Sequence, residues 1–340
     1  MRYFHKRYIQ YIVIGLVLAS LPFLNQMGLI RSATVTIWGF IVFYAIAALG
    51  LNVLLGYSGL VSLGTAGFMG LGAYLSTVLT RDFGLSFWLA LPIVIAIPTL
   101  FGLLVGLVSL RLAGMYLAIA TLAVAEVARQ IFIQLWGFSS LRPPRPDYFI
   151  GFLDRDGTYW LIVAFLVLLM FLTDNFIHSS TGRAFLTMRV SEPAAQAMGI
   201  NLLKYKLLSF AIATAYAAIA GALYAHLIQA VDPSPWSLLL SLQIVAVIVI
   251  GGLKTITGPI FGAFVVFGIP PLFLNRLPLI GDIAGLPFIF NGLLIILVIL
   301  FYPRGLVYIG HDVKKLFKRL TRKRDTELFA VTEEALVNAE

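Results

Sequence analysis

Glu126 and Arg129, in TLAVAEVARQIF, are opposite charges one helical turn apart inside a long apolar run. An ionised side chain at the centre of a bilayer costs on the order of 3 kcal/mol on insertion scales, so such groups face a bundle interior and pair. At this spacing the two can pair with each other. Two readings fit: a structural ion pair near the membrane edge, or a part in gating or substrate passage. Further back, GYSGLVSLGTAGFMGLGAY supplies the hydroxyls of Ser58, Ser62 and Thr65 among closely spaced glycines. Other chemistry is scarce. There is no cysteine, no HExxH, and no His/Asp pair within an apolar run, while His5, His178, His226 and His311 lie far apart. That leaves no nucleophile–base set and no metal cluster for an intramembrane enzyme. No GxxxxGK[ST] occurs, so this chain does not hold ATP in a P-loop.

These residues belong to a chain of 340 that is 60% hydrophobic and 11% charged. Soluble domains carry roughly 25% charged residues, so the composition reads as a polytopic membrane protein. The net charge of +9 would point to nucleic acid in a soluble protein. Here the basic residues sit beside apolar runs, and anionic lipid headgroups are the expected partner instead. The basic start MRYFHKRY before IQYIVIGLVLASLPFL resembles a signal peptide. With so many later runs, we read it as a retained first helix whose basic end stays cytoplasmic.

A bilayer core takes about 20 apolar residues per helix. Ten windows qualify: 9–29, 34–55, 58–80, 87–109, 112–135, 159–177, 207–229, 237–253, 258–275 and 286–302. The third is diluted by glycine, serine and threonine. Ten crossings from a cytoplasmic N-terminus return the C-terminus to the cytoplasm. Arg31, Arg81, Arg142, Arg145, Arg155 and Arg276 then lie outside, Arg129 lies within a span, and the rest of the 24 Lys and Arg lie inside. That asymmetry follows the positive-inside rule. Backbone at membrane depth must satisfy itself, and runs of this length without strict alternation exclude a barrel. The expected fold is an all-α transmembrane bundle over 1–310, with both termini cytoplasmic. In the tail 311–340, HDVKKLFKRLTRKRD has the pattern of a basic amphipathic helix for an anionic leaflet, and the acidic end reads as disordered.

Six glycines fall within the seventeen residues from Gly56 to Gly72. Ala66–Gly70, Gly102–Gly106 and Gly258–Gly262 have small-xxx-small spacing, which suits close helix packing in lipid. Six glycines exceed what one contact needs. An irregular helix beside a polar cavity is the second reading, since such backbone is tolerated where it lines a pathway. Pro92 and Pro98 are expected to bend the fourth span, and Pro233 with Pro235 to turn the chain after the seventh.

Between the sixth and seventh windows lies TGRAFLTMRVSEPAAQAMGINLLKYK, which reads as one or two short helices. Ser180 or Thr181 caps a helix to Val190. Ser191 caps the next, with Glu192 and Pro193 in its first turn and Gly199 at its C′ position. Phe185, Met188 and Met198 are its candidate exposed anchors. Docking into a partner's groove and resting on headgroups both fit this pattern.

TGRAFLTMRVSEPAAQAMGINLLKYKLLSFAIATAYAAIAGALYAH resembles the matching part of branched-chain amino acid ABC transporter permeases of the LivM type. So do GYSGLVSLGTAGFMGLGAY, RLAGMYLAIATLAVAEVAR, IVIGGLKTITGPIFGA and FYPRGL. The resemblance runs from about Leu51 to Leu306. It implies a membrane subunit of a bacterial inner-membrane importer for branched-chain or other apolar amino acids, with urea or short amides as the alternative cargo. It is not an enzyme: the resemblance implies no cofactor in this chain and ATP with Mg on partner subunits. The implied partners are a second permease, two ATP-binding cassette subunits and an extracytoplasmic binding protein.

The glutamate–alanine–alanine…glycine pattern falls on Glu192, Ala194, Ala195 and Gly199, so 180–200 becomes the coupling element, with Arg183 and Arg189 beside it. Ser58, Gly59, Ser62, Gly64, Thr65, Gly67, Glu126 and Arg129 are the candidate translocation path. Two departures stand out. Thr65 replaces a frequent histidine, and WGFSSLRPPRPDYFIG replaces a threonine-glycine-glycine-like loop. A secondary transporter or channel remains the rival reading; it calls for membrane-embedded acids, of which Glu126 is the well-placed one.

Overall fold

The computed structural model describes residues 2–28, 31–108, 114–136, 141–144, 155–273, 285–301 and 305–308. The tail 311–340 and much of the 136–157 loop lie outside them. Among the described residues the regular structure is helical, with one isolated antiparallel bridge between Leu141 and Val231.

The chain opens with α1 (Arg2–Ala19) and its short continuation α2 (Leu21–Gln26). Next is α3 (Ser32–Leu51), which widens into a π-helical turn over Asn52–Tyr57. Residues 58–64 are irregular, and α4 (Thr65–Arg81) starts after them. Then come α5 (Phe87–Val108), α6 (Met115–Trp136) and α7 (Arg155–His178). Two short helices, α8 (Ser180–Val190) and α9 (Glu192–Ala197), precede the long α10 (Leu202–Ile228). The rest comprises α11 (Leu238–Gly251), α12 (Gly258–Ala263), a π turn over Phe264–Gly268, α13 (Ile269–Leu272) and α14 (Leu286–Phe301).

Each predicted window carries helix. Among the described residues, six helical stretches are long and apolar enough to cross a membrane: Arg7–Gln26, Ser32–Tyr57, Phe87–Leu107, Met115–Leu135, Asp156–His178 and Leu202–Ile228. The others are shorter for local reasons. The third window was expected to be helical from 58 but begins at Thr65, because Gly59 turns the backbone to φ +78°. Gly252, at φ +120°, stops α11. Both prolines of α5 lie inside a continuous helix.

The core is built around α10, buried for most of its length and packed by α3, α4 and α5. Its sequence IATAYAAIAGALYAH is mostly small, which in lipid is what allows backbones to approach. At the crossing with α4 the fit is backbone on backbone. A Cβ on Gly72 would land on the Ala218 carbonyl, and one on Gly221 on the Met69 carbonyl. The opposite extreme is α1, whose Ile9, Ile12, Val13, Leu16 and Val17 are exposed, as expected of a face turned to acyl chains.

Candidate functional site

The element between α7 and α10 is a pair of helices with defined ends. Ser191 caps α9, its Oγ accepting from the Ala194 amide at 3.3 Å. At the far end the Gly199 amide donates to Gln196 O and the Ile200 amide to Ala195 O, both at 2.9 Å. With Gly199 at φ +79° this is a Schellman C-cap. The predicted cap of α8 is corrected by a residue or two. Ser179 holds the N-cap position, and its Oγ bonds back to Phe176 O at 2.6 Å rather than into the helix.

The anchors are also corrected. Phe185 and Met188 were expected on the outside, yet both are buried. The reason is that α8 folds against α7 and α10, placing the Phe185 ring 5.4 Å from Phe176 and 6.1 Å from Tyr205. Met198 is exposed as expected, at 63%, and Val190 and Leu186 join it, at 87% and 36%. Ala195 is turned inward, while Pro193, Ala194 and Gln196 face outward. Arg183 is exposed and reaches His178 O at 3.4 Å.

Two charged contacts tie the element to the bundle. Glu192 pairs with Lys206 of α10 at 2.7 Å; the lysine side chain is 5% exposed and the glutamate 44%. Such a pair is asymmetric, since removing the acid strands a buried ammonium while removing the lysine leaves a carboxylate that water reaches. Arg189, at the end of α8, donates to the carbonyl of Gly56 in the π turn that ends α3. Its side chain also lies along Gly59, where a Cβ would come within 2.8 Å of the arginine Cγ.

Arg189 therefore joins the element to the irregular segment that holds most of the candidate path residues. Two of the three hydroxyls there bond to backbone. Ser58 Oγ donates to Leu54 O at 2.5 Å, Ser62 Oγ accepts from the Gly64 amide at 3.3 Å, and all three hydroxyl residues are buried. Neighbouring helices satisfy the rest: Thr121 accepts from the Leu63 amide at 2.9 Å and Ser241 from the Ala66 amide at 3.1 Å. Gly64 and Gly67 lie directly against Thr121 and Ala125 of α6. On the other side the π turn is pinned to the α11–α12 loop. Asn52 donates to Thr255 O at 2.7 Å and accepts from the Lys254 amide at 3.1 Å, while Tyr57 donates to Lys254 O at 2.7 Å. The irregular backbone of the second reading is present over residues 58–64, and within this chain its hydroxyl residues are buried.

Glu126 and Arg129 pair as expected, with a two-point contact at 2.9 and 2.5 Å, and Gln130 donates to the same carboxylate at 3.0 Å. Their direction is the surprise. The glutamate is 44% exposed and shares the outer face of α6 with Gln130, Gln134, Val127 and Ile131. Helical spacing of four puts Glu126, Gln130 and Gln134 in one polar stripe. A further correction concerns α7. A His/Asp pair does exist, with His178 Nδ1 3.4 Å from the carboxylate of Asp174. It escaped the sequence reading because His178 lies one residue beyond the predicted window.

The family model described as "branched-chain amino acid transport system / permease component" matches residues 33–302. The chain belongs to that family. It is 31% identical over 336 residues to the high-affinity branched-chain amino acid transport system permease protein LivM of Escherichia coli K12, covering 90% of this chain and 76% of that one. The corresponding protein of Salmonella typhimurium LT2 is 30% identical, with 87% and 73% covered. A probable branched-chain amino acid transport permease protein LivH of Methanocaldococcus jannaschii is 26% identical, with 73% and 82% covered. No solved structure matched.

As a permease component, the chain is a membrane-embedded transport subunit and not an enzyme. Several residues of this permease that hold the site together gave no pattern to read. Lys206 is fourteen positions from Glu192, and Thr121 and Ser241 belong to other helices. Asn52 carried a usable signal: an amide alone within ALGLNVLLGY needs internal partners at membrane depth.

Proposed function

We propose that this permease is one of two membrane subunits of an ATP-driven importer for branched-chain or other apolar amino acids in the bacterial inner membrane. It crosses the bilayer ten times with both termini in the cytoplasm. Two ATP-binding subunits hold the nucleotide and Mg, and an extracytoplasmic binding protein delivers the cargo. The α8–α9 pair docks on an ATP-binding subunit through Ala194, Gln196 and Met198. The polar stripe Glu126–Gln130–Gln134 faces the second permease across the pathway, where it escapes the cost of meeting lipid.

The observation that carries this reading is the bond from Arg189 to Gly56. It makes the short-helix pair continuous with the broken segment beside α6, so a push on one displaces the other. Two packings of that segment would then be biased by nucleotide. The test replaces Glu192 with lysine and Gly199 with leucine in one variant. Association with the ATP-binding subunits and uptake of labelled leucine into proteoliposomes should both fall at least tenfold. Unchanged association and uptake would sink the assignment, as would leucine uptake by this chain alone.

A further inference from the structure

A second charged cluster lies where the start of α1 meets the end of α7. The Asp174 side chain is 2% exposed and accepts a hydrogen bond from Tyr11 OH at 3.2 Å. Arg7 Nη1 lies 4.0 Å from the same carboxylate and 2.5 Å from His178 Nε2. A guanidinium can only donate, so Nε2 accepts and Nδ1 carries the proton, which it gives to Asp174 O at 2.7 Å. The charges of Arg7 and Asp174 then balance.

Beside this cluster is a cavity of about 420 Å³, reaching from α1 to the α11–α12 loop. Lys254 lines its far side, and Asp174 is the one acid among its lining residues. The cavity therefore carries one net positive charge. Gln10 and Thr257 add neutral donors to its wall, and Leu186 of α8 closes it toward the coupling element. Its outer edge continues into lipid-facing surface. Val13 and Val17, three and seven residues on from Gln10 along α1, are 50% and 62% exposed, on the same side of the helix as Gln10.

Net positive charge, amide and hydroxyl donors, and an adjoining apolar helix face are the features of a headgroup site. Basic pockets between membrane helices take anionic headgroups on this basis. We propose that the cavity binds the phosphate of an anionic phospholipid. Arg7 and Lys254 are its cations, Gln10 and Thr257 its neutral donors, and the α1 face carries the acyl chain. Free phosphate shares the headgroup chemistry but makes no use of Val13 and Val17. The proposal rests on α1 being a membrane helix and not on the assignment of cargo or coupling. An occupant would also touch α8 through Leu186.

The test is thermal stability of the full chain in neutral detergent, titrated with short-chain phosphatidylglycerol, phosphatidylcholine or inorganic phosphate at matched ionic strength. Phosphatidylglycerol should stabilise saturably, and phosphatidylcholine much less. Because Arg7 supports the α1–α7 junction, the decisive variant is Lys254→Asn. It removes the charge, and asparagine tolerates the φ of +63° found there. Affinity should drop about fivefold for the lost cation, and Gln10→Lys should raise it by a similar factor. The basic tail is present in every variant and cancels in the ratio. Equal stabilisation by phosphatidylcholine, or a Lys254→Asn chain that binds like the parent, overturns the site. Stabilisation by inorganic phosphate alone overturns the lipid as its occupant.

Discussion

Two glycine-rich junctions in this permease solve opposite problems. At the α4–α10 crossing, Gly72 and Gly221 let two regular helices meet backbone to backbone, each glycine sitting on the other helix's carbonyl. The glycine contacts themselves are dispersion between close-packed surfaces, with one hydrogen bond a turn away, between Ser76 and His226 at 2.9 Å. At the α3–α8 junction, Gly56 and Gly59 belong to irregular backbone held by separate hydrogen bonds from Arg189, Asn52 and Tyr57. A close-packed contact has one good arrangement and resists displacement. A set of individual hydrogen bonds can be exchanged one at a time. The crossing is the frame, and the junction is where motion can enter it.

The largest effect should come from breaking the frame. Leucine at Gly221 puts its Cβ onto the Met69 carbonyl and its branches into a helix that cannot retreat without losing α3 and α5 as well. Overpacking of well-filled cores typically costs about 1–3 kcal/mol, and this site combines a side-chain clash with a backbone one. The cost should reach at least about 3 kcal/mol. Gly221→Leu should lose the monodisperse detergent-purified species altogether, as read by size-exclusion profile and thermal midpoint. A folded, transport-competent Gly221→Leu chain would show that the crossing is not the rigid half of the pair.

Breaking the junction should look different. Arg189→Ala strands the buried Gly56 carbonyl, a penalty of about 1–3 kcal/mol, but leaves Phe185, the Ser191 cap and the Lys206 pair in place. The bundle should therefore fold and assemble, while uptake drops about tenfold or more at nearly unchanged ATPase rate. Parallel loss of ATPase activity and uptake would mean that Arg189 supports docking and not transmission. Lysine at this position should rescue partly, since it supplies charge without the guanidinium's fixed fork.

The two junctions were unequally legible in the sequence. Glycine spacing announced the junction and the α4 side of the crossing, because small residues in apolar runs have few other uses, whereas Gly221 is a lone glycine in α10 with no such spacing. The caps of α9 were readable to the residue, since Ser191, Pro193 and Gly199 each have a local physical reason to be where they are. What local pattern could not supply was direction. Phe185 and Met188 look like free anchors until α8 is known to fold onto α7 and α10. Glu126 looks like an interior charge until α6 proves to lie at the edge of the bundle. Ser58 and Ser62 give no sign in the sequence of the backbone groups they bond. The misses at Phe185, Met188 and Glu126 each concern a tertiary neighbour many residues away.

The smallest effect sharpens the comparison most. A Cβ at Gly199 would meet nothing within 4 Å, so Gly199→Ala tests conformation alone, free of the steric term that dominates at Gly221. Holding an alanine at φ +79° costs about 1 kcal/mol, and asparagine, which tolerates the left-handed region, costs less. If the Schellman cap matters only by fixing the end of α9, uptake should fall by no more than about fivefold in Gly199→Ala, the population shift that 1 kcal/mol permits. Gly199→Asn should lie between it and the parent. The order of the two variants carries the information, because asparagine is the larger residue. Were asparagine worse than alanine, the position would be read by its bulk, as a surface pressed against a partner, and Gly199 would resemble Gly221 after all.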